Sequence, residues 1–461
     1  MKKTTLLTHG YFLHDDPKEA TIMRPYPPLG ILYISAFLNQ HDISHELYDT
    51  TFSSKEKLKE HILNSKPAYL AIYTNLMTKL NVLEIIQFIR NHSDLSEIKI
   101  ILGGPEVKYS AENFLKAGSD FIVIGEGEQT TLELINELNK DKPDFTTIHG
   151  IAFKQKDQII YTAERSKLKN IDDLPFPNRE GIDLFSYLET WKKFHRKNAI
   201  SISTMRGCPY TCKWCSRAVY GLSYRRRSAK NVVDEMVYIK KTYNPDSLWF
   251  VDDVFTISHK WLNEFNEELK KRNIKIPYEC ITRADRMNEE VIQQMKESGC
   301  FRVWIGAESG SQRVIDLMDR RVDVHQVREM IRLVKKNEIE AGTFIMLGYP
   351  GETKKDIEET IQHLKESNPD HFTITVAYPI RGTELYQEIE SKQLTNLEWD
   401  KSTDRDIDFK RTYSRRYYTY AIAYVINDVN YYRSKLQKKL IRSIFCKTKS
   451  MVYQLAMQLE K

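Results

Sequence analysis

The stretch "TMRGCPYTCKWCSRA", residues 204–218, gathers three of the six cysteines of this 461-residue chain, namely Cys208, Cys212 and Cys215. The N-terminus has no apolar run long enough for an export signal, so a reducing compartment and free thiols are expected. A close group of cysteines in such a chain indicates metal binding or redox chemistry. Thiolates bind soft metals, and zinc and iron are the two metals to consider.

Zinc is the simpler metal to consider, but the cysteine group supplies too few ligands for it. A structural zinc ion needs four protein ligands, and no second pair of cysteines or histidines flanks the group. The other cysteines, Cys280, Cys300 and Cys446, are isolated in sequence and are expected to be small buried residues. Three thiolates without a fourth fit a cubane iron–sulfur cluster with one iron open to another ligand.

Residues 4–140 alternate five strand-like and five helix-like stretches, which predicts an open, doubly wound, Rossmann-like parallel sheet. Such sheets bind ligands at the carboxyl ends of their strands. The candidate binding residues there are Gly10, Thr74, Asn75, Gly103, Gly104, Pro105, Glu126, Gly127 and Glu128.

A second alternation begins at residue 197 and contains six βα units. It predicts a partial (β/α)6 barrel with its chemistry on the loops that follow the strands, and the cysteine group follows the first strand. The α/β chain is expected to divide into a sheet domain (1–145), a Pro- and Asp-rich linker (146–196), the barrel (197–395) and a helical C-terminal segment (396–461).

The C-x3-C-x2-C spacing, with the aromatic Trp214 before the last cysteine, resembles the signature of the radical S-adenosylmethionine (SAM) superfamily. In that family the cysteines hold a 4Fe–4S cluster whose open iron binds SAM, and reductive cleavage of SAM yields a radical that abstracts hydrogen. "VWIGAESGSQRVIDLM" (303–318) and "FIMLGYPGET" (344–353) resemble the fourth- and fifth-strand motifs of the family.

The resemblance implies roles for individual residues of the barrel. Glu308 and Ser309 would face the ribose and methionine of SAM, and Arg283 would meet its carboxylate. The usual Gly-Gly-Glu after the second strand is replaced by "VDDVF" (251–255), where either aspartate could instead be a loop cap. The implied SAM-binding set is Trp214, Asp252, Asp253, Arg283, Glu308, Ser309, Leu347, Gly348 and Pro350.

The N-terminal domain resembles that of the cobalamin-binding subfamily, through "RPYPPLGILYISAFL" (24–38) and "ILGGPEVKYSAENFL" (101–115). The layout is similar to that of the anaerobic magnesium-protoporphyrin ester cyclases and the radical SAM C-methyltransferases. The D-x-H-x-x-G loop that supplies a cobalt ligand in other cobalamin proteins is absent. His41 and His45 have the wrong spacing for it, so cobalamin is expected to bind without a protein imidazole.

The C-terminal segment is basic and aromatic. Residues 401–461 carry 14 Lys/Arg against 5 Asp/Glu, a surplus of nine in a chain whose net charge is +6. Tyr417, Tyr420, Ala421 and Tyr424 are spaced to share a helix face. A cap packed against the barrel is the favoured interpretation, and a basic surface that meets anionic lipid is the alternative.

The sequence therefore predicts a cytoplasmic enzyme that uses a 4Fe–4S cluster, SAM and cobalamin to functionalise an unactivated carbon. Methylation of a small apolar substrate is the preferred reaction, with an electron donor such as flavodoxin or ferredoxin and no nucleic-acid partner. Oxidative ring formation of the cyclase type is the alternative, and a non-catalytic cobalamin or iron–sulfur sensor is a further one. A transfer-RNA methylthiotransferase would need three more cysteines in the N-terminal domain, which has none.

Overall fold

The computed structural model describes residues 4–395 and 397–460. The chain folds into two mainly parallel sheets, each covered by helices, followed by a helical hairpin. The predicted fold class, a doubly wound domain followed by a partial barrel and a helical C-terminal region, is confirmed. No helix within the described ranges is long and apolar enough to cross a membrane.

The first sheet has seven strands in the order β2-β1-β3-β4-β5-β6-β7, of which the first five are parallel. Its strands are β1 (Thr5–His9), β2 (His45–Tyr48), β3 (Tyr69–Tyr73), β4 (Lys99–Gly103), β5 (Phe121–Val123), β6 (Ile151–Gln155) and β7 (Gln158–Tyr161). Strand order reverses beside β1, so the carboxyl ends of β1, β3, β4 and β5 lie at the point where such sheets bind ligands.

Helices cover both faces of this sheet, and apolar side chains fill both layers. The helices are α1 (Pro17–Ile22), α2 (Leu29–Gln40), α3 (Lys55–Ser65), α4 (Lys79–Asn91), α5 (Ala111–Lys116) and α6 (Gly127–Leu138). Helices α3, α4 and α5 contribute to one buried cluster, and α2 and α6 contribute to another on the opposite face. Two separate cores on one sheet are what the doubly wound arrangement requires.

The stretch expected to be a linker contains ordered structure. Strands β6 and β7 form an antiparallel hairpin around Lys156 and Asp157, and β6 pairs antiparallel with β5. Ile151 and Phe153 occupy alternate positions of β6 and therefore point into the same core, together with side chains of β5. This shared core explains why the short stretch extends the sheet. Helix α7 (Leu184–His195) follows before the second sheet.

The second sheet has six parallel strands in the order β8-β11-β12-β13-β14-β15, with β8 and β15 at its two edges. The strands from β8 onward are β8 (Ala199–Ile202), β9 (Met205–Arg206), β10 (Arg225–Arg226), β11 (Ser247–Phe250), β12 (Tyr278–Thr282), β13 (Cys300–Glu308), β14 (Glu340–Leu347) and β15 (His371–Val376). The short strands β9 and β10 form a separate antiparallel pair.

Helices connect these strands and enclose the largest core cluster of the protein. They are α8 (Ala229–Thr242), α9 (His259–Arg272), α10 (Glu289–Glu297), α11 (Gln312–Leu317), α12 (Val324–Lys336), α13 (Lys354–Ser367) and α14 (Glu384–Ile389). Single 3-10 turns occur at Leu13–Asp15, Ser93–Leu95, Phe145–Thr147, Ile171–Asp173, Arg179–Gly181, Ala284–Arg286, Glu390–Lys392, Trp399–Lys401 and Asp404–Asp406.

The C-terminal segment is a hairpin of two long helices, α15 (Arg415–Leu436) and α16 (Leu440–Leu459). Helix α15 buries Tyr417, Ala421 and Tyr424 in the barrel core, as the spacing of these residues predicts, while Tyr420 is half-buried. Helix α15 is thus a cap on the barrel, and α16 packs on the outside of α15.

A buried ion-pair network fastens the segment before the barrel to α8. Arg179 lies 2.6 Å from the Glu235 carboxylate, and Arg227 pairs with the other oxygen of the same group. All three side chains are almost fully buried. Burial alone would raise the pKa of Glu235, but the two guanidinium groups lower it below its ordinary value.

We expect Glu235→Gln to lower the free energy of unfolding by about 3–5 kcal/mol, because it leaves two buried guanidinium groups without a counter-charge. Asp234→Asn is the matched control, since Asp234 pairs at the surface with Lys230 and Arg272. It should cost less than about 1 kcal/mol. Denaturant unfolding of the three proteins measures the difference, and equal losses for the two variants would contradict the network's importance.

Candidate active site

The three clustered cysteines lie on a loop of residues 207–224, here named the cysteine loop, between β9 and β10. The β9–β10 pair closes the base of the loop, and Lys213 ties its middle to the barrel by backbone hydrogen bonds with Met318 and Leu385. Gly207 has a φ of 82°, and a Cβ there would lie 2.4 Å from the Ser223 hydroxyl. Only glycine therefore fits before Cys208.

Two of the three sulfurs face a cavity. Cys208 and Cys215 line a cavity of about 340 Å³ between the cysteine loop, the first sheet and the ends of β8 and β11. Burial raises the pKa of both thiols, that of Cys215 to about 12. Since thiolates are the metal-binding form, binding at these sulfurs must release protons.

Cys212 is buried behind this cavity, beside two cationic side chains. Arg283 and Arg320 each donate a hydrogen bond from Nη1 to its sulfur, both at 3.7 Å. Arg283 also stacks on Tyr210, with 3.7 Å between the guanidinium carbon and the ring centre. The two guanidinium groups thus place positive charge beside the sulfur of a cysteine that the sequence predicts to be a cluster ligand.

The donor set fits an iron–sulfur cluster better than a single metal ion. Within residues 4–395 and 397–460, no three His, Cys, Asp or Glu side chains are arranged to hold one metal ion. Three unpaired cysteines on one loop, two of them open to a cavity, supply the soft ligands that a cluster needs.

The two aspartates after β11 have different environments. Asp252 is buried and accepts hydrogen bonds from the backbone of Thr204 (2.7 Å) and Met205 (3.2 Å) and from the Thr204 hydroxyl. Asp252 therefore caps the loop after β8. Asp253 instead faces the cavity beside Cys208 and Cys215, where partial burial and the neighbouring Asp252 raise its pKa.

Glu308 ends β13 at an irregular position. The register with β14 shifts between Gly306 and Glu308, and Glu308 has a φ of 64°. Its buried carboxylate lies 3.7 Å from Arg320, and burial raises its pKa. A non-glycine residue held in the left-handed region is a recognised mark of a functional site. The bulge directs the carboxylate toward the two arginines that contact Cys212.

Ser309 and the turn after β14 are hydrogen-bonded within the protein. The Ser309 hydroxyl lies 3.2 Å from that of Thr360 and accepts a hydrogen bond from the Ser311 backbone. Gly348 has a φ of 78° and donates its backbone N–H to the Glu352 carboxylate at 2.6 Å. Burial raises the pKa of Glu352 to about 8.

The remaining predicted barrel residues surround that turn. Leu347 is buried in the barrel core, Pro350 is half-buried, and Trp214 packs against an apolar cluster that includes Tyr349. Cys212, Arg283 and Glu308 therefore lie close to one another. Leu347 and Trp214 pack in neighbouring apolar clusters. Arg320 also contacts Cys212 and Glu308 and was not predicted from the sequence. Its position soon after the fourth-strand motif is the only feature of the sequence that points to it.

Six of the nine predicted residues of the first sheet line a second cavity, of about 250 Å³. It lies at the carboxyl ends of β1, β3, β4 and β5, and those six are Gly103, Gly104, Pro105, Glu126, Gly127 and Glu128. A Cβ at Gly104, whose φ is 108°, would lie 2.3 Å from the Thr74 carbonyl oxygen. Glycine at position 104 therefore allows the loop after β4 to lie close to the loop after β3.

The other three predicted residues do not line this second cavity. Asn75 lines a third cavity of about 340 Å³ between the two sheets. Thr74 is buried, and its hydroxyl donates toward the Ile72 carbonyl. A Cβ at Gly10 would lie 2.9 Å from Val82, so Gly10 allows α4 to approach β1.

Glu126 and Glu128 are committed to ion pairs rather than open to a ligand. Arg206 binds Glu126 at 2.8 Å and Glu128 at 2.5 Å, and Arg225 binds Glu126 at 2.7 Å. Burial would raise the pKa of Glu126, but hydrogen bonds from Arg225 and Arg206 lower it. Arg206, Glu128 and Tyr220 line both the first and second cavities and form the wall between them.

The histidine at the sheet edge is His9 rather than His41 or His45. His9 lines the third cavity and is 2.8 Å from Asp49 and 2.9 Å from the Thr50 hydroxyl. His45 binds Ser35 and the Ile43 carbonyl, and His41 binds the Phe37 carbonyl. Neither of these two lines any of the three cavities.

Two family descriptions match the chain. Residues 20–135 match the B12 binding domain, and residues 202–364 match the radical SAM superfamily. The first match ends with α6 of the first sheet domain, and the second begins at the end of β8 and includes the cysteine loop.

Two curated relatives align with most of the chain. An uncharacterised methyltransferase of Pyrococcus horikoshii, PH0819, is 28% identical over 403 residues, which cover 85% of each chain. The anaerobic magnesium-protoporphyrin IX monomethyl ester cyclase of Rubrivivax gelatinosus is 26% identical over 390 residues, covering 81% of this chain and 68% of the cyclase.

Solved structures share the fold at lower sequence identity. The radical SAM methyltransferase TsrM of Kitasatospora setae, with cobalamin and a [4Fe-4S] cluster, aligns with a TM-score of 0.70 at 16% identity, covering 85% of this chain and 75% of TsrM. The cobalamin-dependent radical enzyme OxsB, with aqua-cobalamin and SAM, aligns with a TM-score of 0.65 at 21% identity. That alignment covers 79% of this chain and about half, 52%, of OxsB.

Each of the two matched domains has a cavity at one edge of its sheet. The three-cysteine loop follows the first barrel strand inside the radical SAM match, and the second cavity lies at the ligand-binding edge of the B12-binding match. The chain is therefore an enzyme that combines a B12-binding domain with a radical SAM domain, and its cofactors are a 4Fe–4S cluster, SAM and cobalamin.

Proposed function

We propose that this enzyme methylates an unactivated carbon of a small apolar substrate. The observation that carries the proposal is the first cavity, which places the cysteine loop and the edge of the B12-binding domain on opposite sides of one space. When bound there, the cluster with SAM supplies a carbon-centred radical, and cobalamin supplies a methyl group.

The lining of this cavity supports an apolar substrate. Apolar side chains from the first domain, the connecting segment and the barrel contribute to its wall, among them Leu29, Ile171, Leu174, Pro175, Met205, Val219 and Val251. Six charged side chains also line it, and Arg206 and Arg227 among them are already paired with glutamates. A largely apolar wall excludes water, which protects a reactive carbon centre from side reactions.

We assign the cluster to Cys208, Cys212 and Cys215, with Arg283 and Arg320 balancing charge at Cys212. Asp253, which lines the first cavity, and Glu308, whose carboxylate lies 3.7 Å from Arg320, are the carboxylates proposed to receive the polar groups of SAM. Ser309 and Asp252 hold the turns that position them, because their side chains are bonded within the protein. Leu347, Gly348 and Pro350 form the turn proposed to lie near the adenine.

For cobalamin we propose the second cavity and the wall that it shares with the first. Gly103, Gly104, Pro105 and Gly127 keep the sheet edge free of bulky side chains, and Asn75 extends it toward the third cavity. Glu126 and Glu128 act indirectly, by holding Arg206 in the shared wall. The domain division proposed from the sequence, with a first domain to residue 145 and a barrel from 197 to 395, accommodates both sites.

Oxidative ring formation is the second candidate, favoured by the 26% identity to the Rubrivivax gelatinosus cyclase over 81% of this chain. We prefer methylation because the uncharacterised relative PH0819, which aligns over 85% of each chain, is named as a methyltransferase. We further propose a flavodoxin- or ferredoxin-type electron donor, a cytoplasmic location in keeping with six free thiols, and peripheral membrane contact by the C-terminal segment.

Replacing Cys208, Cys212 or Cys215 with alanine should abolish the cluster, because each removes one of three thiolate ligands. Cys446→Ala is the control, since Cys446 is buried between α15 and α16, away from the cysteine loop. Iron and sulfide analysis of anaerobically reconstituted protein measures the effect. Full iron content in a variant that lacks all three loop cysteines would overturn the assignment.

Bound cobalamin should show a base-off absorption spectrum, because the described histidines at the sheet edge are engaged with protein groups. His41→Ala and His45→Ala should leave the spectrum unchanged, and His9→Ala tests the histidine that lines the third cavity. A nitrogen-ligated spectrum that disappears in any one of these variants would identify that residue as a cobalt ligand and contradict the proposal.

SAM with a deuterated methyl group distinguishes the two reactions. Methylation should give a product heavier by the labelled methyl, together with S-adenosylhomocysteine and 5′-deoxyadenosine in equal amounts. Mass analysis of the product after anaerobic turnover decides the matter. An unlabelled product that has lost two hydrogens or gained an oxygen, with 5′-deoxyadenosine alone, would establish the cyclase type instead.

A further inference from the structure

Helix α16 turns its largest apolar side chains away from the protein. Ile441 and Leu459 are each 87% exposed, and Ile444, Phe445, Val452 and Leu455 are all more than half exposed. Successive turns of the helix carry these positions at separations of three, four or seven residues, so they lie along one side of the helix as a stripe. We name this stripe the outer face of α16.

The side of α16 that packs on α15 combines three small residues with Met457 and with Tyr453, whose ring stacks on Tyr420 of α15. Ser443, Cys446, Ser450 and Met457 are its buried residues, and the Ser450 hydroxyl binds Asp428 of α15 at 2.9 Å. An amphipathic helix that served only as a cap would direct its isoleucines and phenylalanine inward. The reversed arrangement indicates that the outer face has a partner of its own.

The surroundings of this face carry charge of a single sign. Between Asp428 and Glu460 the sequence contains seven Lys or Arg and no Asp or Glu. Lys435, Lys438, Lys439, Arg442 and Lys449 are exposed in the structure. The Lys449 ammonium lies 4.3 Å from the centre of the Phe445 ring, so cationic and apolar groups share the same border.

Building on the peripheral membrane contact proposed above, we infer that the outer face of α16 binds the surface of an anionic lipid bilayer, with the helix lying in the plane of the interface. An exposed apolar stripe bordered by lysine and arginine matches a bilayer whose acyl chains accept the stripe and whose headgroups neutralise the cations. A second copy of the chain fits less well. A twofold contact through this face would bring two clusters of like charge together.

Vesicle co-sedimentation of the full-length protein tests the inference. The protein should pellet with phosphatidylglycerol-containing vesicles, stay in solution with pure phosphatidylcholine vesicles, and dissociate at high salt. Phe445→Asp should weaken the partition at least tenfold, because it places a charge in the stripe. Lys439→Glu combined with Arg442→Glu should weaken it by at least about fivefold per residue.

Phe185→Asp is the matched control, since Phe185 on α7 is 57% exposed, as Phe445 is. It should bind vesicles like the unchanged protein, and all variants should keep the same thermal midpoint because the altered side chains are exposed. Absence of binding to anionic vesicles would overturn the inference, as would an equal loss in the Phe185→Asp control. A dimer in solution that Phe445→Asp dissociates would overturn it in favour of a second copy.

Discussion

The ion pairs of Arg206 with Glu126 and Glu128 are the interaction on which the relation of the two domains depends. Arg206 stands two positions before Cys208, and both glutamates belong to the turn that begins α6 of the B12-binding domain. The guanidinium also contacts the rings of Tyr33 and Tyr220, at 5.5 and 5.4 Å. All three charged groups are nearly buried, so breaking the pairs would leave uncompensated charge between the domains.

This arrangement gives the cysteine loop two independent supports. On one side, β9 and β10 carry Arg206 and Arg225 to Glu126 of the B12-binding domain. On the other side, Arg283 and Arg320 contact Cys212 from the barrel. The loop is therefore positioned by contacts with both domains.

The sequence predicts features that depend on local pattern better than those that depend on distant contacts. The cysteine group and the six barrel strands follow from residue spacing and strand periodicity. The different environments of Asp252 and Asp253 do not follow from spacing. Asp252 is hydrogen-bonded by Thr204, which lies close to it only in the folded barrel. The hydrogen bonds of Ser309 with Thr360 and of Glu126 with Arg206 could not be predicted for the same reason, because they form only in the folded protein. The β6–β7 hairpin was missed because its strands are short and sit in a segment whose composition suggests a linker.

The packing of α15 on the barrel has a consequence for the order in which the protein forms during synthesis. The turn at Gly348 lies under the Tyr418 ring, which is 3.4 Å from the position that a Cβ of Gly348 would occupy. The strands that surround this turn leave the ribosome well before α15 does, and domains tend to fold as they emerge. The barrel must therefore wait, with part of its apolar surface uncovered, until the last helices are translated. The first domain can therefore fold ahead of the second during synthesis.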